Sequence, residues 1–64
     1  MATLIQTKAG HAYYANESLT DINGMINRGE TVKVWWFAAW GQRFSEDMII
    51  ASDEVAYLRT ESDD

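Results

Sequence analysis

Residues 30–40 read Glu30-Thr31-Val32-Lys33-Val34-Trp35-Trp36-Phe37-Ala38-Ala39-Trp40, the strongest strand signal in the chain and the stretch that decides its fold. A strand alternates its side chains between two faces. Val32, Val34, Trp36, Ala38 and Trp40 therefore fall on one side, and Thr31, Lys33, Trp35, Phe37 and Ala39 on the other. Both sides are apolar at the centre, whereas an antiparallel sheet with one wet face carries a polar series on that face. This strand needs cover on both sides.

Upstream, Leu19, Ile22, Met25 and Ile26 recur at steps of three and four, which predicts a helix of about three turns with one apolar stripe. Ser18 with Asp21 three residues on resembles a capping pair, Asn16 competes for the cap, Arg28 suits the helix end, and Gly29 suits the left-handed stop. Gly24, inside the helix, costs about 1 kcal/mol relative to alanine; it either permits close packing on a sheet or marks a weak helix. Further upstream, Thr3–Thr7, the turn Lys8-Ala9-Gly10-His11 and Ala12-Tyr13-Tyr14 form a β-hairpin. Tyr13 and Tyr14 straddle the two faces of its second strand.

Downstream, Trp40-Gly41-Gln42-Arg43 places glycine first in a two-residue loop, predicting a type II′ hairpin whose return strand is Phe44–Ile50. The continuous run Met48-Ile49-Ile50 predicts a return strand covered on both sides. Ser52-Asp53-Glu54 is a polar turn, and Val55–Arg59 is a last short strand. The order is strand, strand, helix, strand, strand, strand. It predicts a single compact α+β domain over residues 1–60, either one helix on a small curved antiparallel sheet or an SH3-like, partly closed barrel with an inserted helix. Residues 61–64 read as an acidic disordered tail.

What covers the second side of the aromatic strand is then a question of resources. A chain of 64 residues hides about 60% of its unfolded surface and nets only about 3–5 kcal/mol from one core. There are no cysteines for disulfides. One helix covers one side, so the other requires barrel closure, a second copy, or a ligand. Core burial accounts for Val34 and Trp36, and isologous pairing into a homo-oligomer, a dimer first, accounts for Trp35 and Phe37. The candidate interface comprises Trp35, Phe37 and Trp40 as apolar anchors, Tyr14 at the rim and Arg43 as a charged contact.

Catalytic chemistry finds little to work with. His11 is the single imidazole and falls in a hairpin turn; no nucleophile elbow is present. Glu46-Asp47 and Asp53-Glu54 are adjacent pairs, which in a strand point to opposite faces and in a turn serve the turn. Glycines 10, 24, 29 and 41 never cluster into a phosphate loop, and no metal-ligand pattern exists. The reading is of a chain that is not an enzyme and uses no cofactor or metal.

The net charge of −5 owes three of its units to Glu61, Asp63 and Asp64, so it says little about partners and weakens any reading as a DNA mimic. Lys8, Arg28, Lys33, Arg43 and Arg59 are spread singly, which disfavours phosphate-backbone binding. The chain has no signal-peptide pattern and no 18-residue apolar run, which predicts a soluble cytoplasmic protein without membrane association. The leading expectation is a non-enzymatic, homo-oligomeric protein-binding module that occupies a partner's surface. The alternatives are a small barrel stacking single-stranded nucleic acid on aromatics near Lys33, Arg43 and Arg59, and a structural subunit of a larger assembly. In size and composition the chain resembles the small accessory or inhibitor proteins of bacteriophages and other mobile elements, with no residue diagnostic of them.

Overall fold

The helix begins and ends where its caps dictate. In the computed structural model, which describes residues 2–61, α1 spans Leu19–Arg28. The Ser18 side chain accepts a hydrogen bond from the Asp21 backbone N–H at 3.2 Å, satisfying one of the donors a helix start leaves unpaired. At the other end Gly29 adopts φ 71°, its N–H bonds the Ile26 carbonyl, and the Glu30 N–H bonds the Met25 carbonyl. That pair of bonds is the Schellman arrangement, which glycine enters without a Cβ penalty. The predicted helix, its cap and its stop are all present.

Around it lie β1 (Ala2–Thr7), β2 (Ala12–Ala15), β3 (Thr31–Phe37), β4 (Arg43–Ile49) and β5 (Val55–Glu61), with a short 3-10 turn at Ser52–Glu54. All pairings are antiparallel, in the spatial order β4-β3-β2-β1-β5. The fold is α+β, as expected. The sheet does not close: β4 and β5 occupy opposite edges, so the partly closed barrel gives way to an open sheet. The five strands are short and the central seam is thin, since β2 and β3 share the single ladder pair Tyr14↔Trp35.

Two hairpins use one turn design. The Thr7 N–H bonds the His11 carbonyl and the Gly10 N–H bonds the Thr7 carbonyl; the Ala38 N–H bonds the Gln42 carbonyl and the Gly41 N–H bonds the Ala38 carbonyl. Gly10 and Gly41 take φ 93° and 87° as the last residues of three-residue loops. The expected type II′ turn is therefore corrected: Gly41 is third in the loop Ala39-Trp40-Gly41, not first in a two-residue one. That loop ends β3 at Phe37 and starts the return strand at Arg43 rather than Phe44. It also removes Trp40 from the strand.

The core forms where α1 meets one face of the sheet. Ile22 and Ile26 from the helix pack with Ile5, Ala15, Val32, Val34 and Ile50, and Tyr13, Met25, Trp36, Met48, Val55 and Leu58 lean on them. Each buried Ile or Val contributes about 1.5–3 kcal/mol relative to exposure. Thr3, also buried, satisfies its hydroxyl by donating to the Glu17 carbonyl at 2.8 Å, which ties β1 to the segment leading into the helix. Ile49 is 67% exposed, so β4 is not covered on both sides as its apolar run implied; Ile50 reaches the core because the chain has left the strand. Glu61, assigned above to the acidic tail, closes β5 opposite Ala2; Ser62-Asp63-Asp64 lie outside the described residues. Among the described residues no helix is long and apolar enough to cross a membrane.

Candidate functional site: the helix-free face of the sheet

Alternation sends Ile5, Tyr13, Val34, Trp36 and Leu58 toward the helix, and so sends their neighbours to the other face. Register aligns those neighbours into one row crossing all the strands, Arg59–Leu4–Tyr14–Trp35–Ser45. Leu4, flanked in it by Arg59 and Tyr14, is buried although no helix lies over it, because the row shields it from both sides.

The row is ordered by its rings. Tyr14 and Trp35 stack at 4.7 Å between centroids and 21° between planes. The Arg43 guanidinium carbon sits 4.5 Å from the Trp35 centroid, a cation–π contact. Phe37 meets Trp35 edge-on at 5.6 Å, and the Trp35 indole N–H donates to Asn16 Oδ1 at 3.2 Å. Trp35 is thus held in a sandwich between Tyr14 and Arg43 and pinned by its polar edge, while Phe37 beside it is 57% exposed. The charges on this face are mixed. Lys33 stands opposite Asp47 in the ladder, and Arg59 pairs with Glu61 at 2.6 Å. The hydrogen bond and the charge of Glu61 hold the Arg59 guanidinium above its ordinary pKa.

Four of the five residues singled out from the sequence, Tyr14, Trp35, Phe37 and Arg43, come together here. Trp40 does not: it stands 77% exposed on the hairpin loop, its indole N–H bonded to Gln42 Oε1 at 2.9 Å. Leu4, Ile49, Tyr57 and Arg59 belong to the face but were not singled out. Tyr57 and Arg59 were within reach of the sequence, because Leu58 facing inward turns both neighbours outward. Leu4 was not, since its burial depends on a register that long-range pairing sets.

No protein-family model matches the chain, and no curated protein or solved structure is similar to it at a significant level.

Proposed function

We propose that the protein is a non-enzymatic protein-binding module that works through the helix-free face of its sheet, with a second copy of itself as the first occupant. The observation that carries this reading is the Tyr14–Trp35–Arg43 sandwich, which spends both π faces of Trp35 inside the chain and leaves an apolar surface edged by exposed Phe37, Ile49 and Tyr57. Rigid aromatic anchors of this kind concentrate binding energy at protein interfaces. Charges of both signs on one face, Lys33 and Arg59 against Asp47 and Glu61, give a two-fold partner the means to answer each with its opposite. Sedimentation at micromolar concentration tests it: a dimer is expected, dispersed to monomer by Trp35→Lys, and by Phe37→Lys with the fold intact by circular dichroism. A clean monomer, or variants that leave assembly unchanged, would remove the dimer from the reading.

One observation favours a second reading. Lys33, Arg43 and Arg59, three of the five basic side chains, share this face with Tyr14, Trp35, Phe37 and Tyr57, which is the company single-stranded nucleic acid stacking requires. Salt-sensitive quenching of tryptophan fluorescence by oligonucleotides would support it over the first. The occupied π faces of Trp35 count against it. A structural subunit of a larger particle would use the same surface and would run as a large complex in native lysate.

A further inference from the structure

A second aromatic surface lies at the thin seam between the hairpins. Because β2 and β3 are laddered only through Tyr14↔Trp35, they leave a groove of about 590 Å³ lined by His11, Tyr13 and Tyr14 on one side and by Trp36, Phe37 and Glu46 on the other. Its volume falls within the usual small-molecule range. Tyr13 and Trp36 meet edge to face, 5.5 Å between centroids and 79° between planes, and give the groove two roughly perpendicular aromatic walls. Phe44 backs Trp36 at 6.0 Å and His11 extends the Tyr13 wall at 6.1 Å. The one carboxylate on the lining is Glu46, which makes no ion pair among the described residues.

We propose that this groove binds a quaternary or methylated ammonium head group. Perpendicular aromatic rings attract a cation through their negative faces, and a head group wrapped in methyls is the cation that fits them with the least loss of hydration. Glu46 supplies the complementary charge at the rim. Neutral apolar ligands gain from the rings but not from Glu46, and anions are repelled by it, so the occupant is cationic. The groove shares Tyr14 and Phe37 with the Trp35 face, but Trp36 and Glu46 lie on the helix side of the sheet, so readouts at those two residues are distinct from dimer assembly.

The test is titration of the whole protein with choline, read at the indole N–H resonances, where Trp36 is distinguished from Trp35 and Trp40. Selective, saturable shifts at Trp36 are expected, with the neutral isostere carrying carbon in place of nitrogen about tenfold weaker. Glu46→Gln, an exposed change on an edge strand, is expected to weaken choline roughly two- to fivefold. A trimethyllysine peptide separates the two sources of this head group: tighter binding than choline assigns the groove to a modified side chain, and equal binding to a free ligand. No shift at Trp36, equal binding of the neutral isostere, or indifference to Glu46→Gln would overturn the proposal.

Discussion

Replacing Gly24 by alanine tests how α1 sits on the sheet. Gly24 lies in the middle of the helix, where glycine costs about 0.8–1.0 kcal/mol relative to alanine. A Cβ built there meets Arg28 Nη1 at 2.9 Å and Cζ at 3.5 Å, and the three nearest heavy atoms all belong to that guanidinium rather than to a strand. The obstruction is the far end of a flexible, exposed side chain. Moving it risks only the Arg28–Glu30 ion pair, itself solvent-exposed and worth about 0–1 kcal/mol. The expected net is a gain of about 0.5 kcal/mol, or roughly 2–4 °C in Tm for a domain of this size. In a Glu30→Gln background, where the pair is already gone, the gain should approach about 1 kcal/mol. Urea titration followed by circular dichroism and tryptophan fluorescence measures both. Destabilisation by about 1 kcal/mol or more in either background would mean that the glycine is needed for close helix–sheet approach, and the account of Arg28 as the sole obstacle would be wrong.

The other glycines should respond with the opposite sign. Gly10→Ala and Gly41→Ala meet no atom within 4 Å but force alanine into φ 93° and 87°, so each should lose about 1–2 kcal/mol in the same urea assay. Ile22→Ala removes a fully buried side chain from the centre of the core and should cost about 2–5 kcal/mol, comparable with the whole stability of such a domain. Its expected signature is the loss of a cooperative thermal transition at room temperature and above. A transition shifted by only a few degrees would show that Ile22 is not central.

Local chemistry was legible and long-range pairing was not. Ser18, the Leu19-Ile22-Met25-Ile26 stripe and Gly29 specify a helix within about ten residues, and each acts as its type dictates. The alternation of Val32 and Val34 against Trp35 and Phe37 likewise needs no partner to be read. Barrel or open sheet was undecidable because it turns on whether β4 meets β5, segments whose pairing is settled far from either. The hairpin turn at Gly41 was misread for a smaller reason. Glycine with positive φ serves both a two-residue and a three-residue loop, and the bond from Ala38 to Gln42 chooses between them. Of the site, the rings were visible and the sandwich was not: Arg43 reaches Trp35 only because the shifted loop brings it opposite Phe37.

The place of β1 in the sheet has a consequence for the order of assembly. On one side it pairs with β2, its nearest neighbour along the chain, and on the other with β5, its most distant. The hairpins and the helix close small loops and can form early, but the β1–β5 ladder must close nearly the whole chain at once. During synthesis, Leu4 and Ile5 wait with one edge of their strand bare until Val55–Glu61 leaves the ribosome. Folding of this sheet is therefore gated at β5, and a nascent chain stopped before Val55 presents β1 as a bare, sticky edge strand in place of a finished sheet.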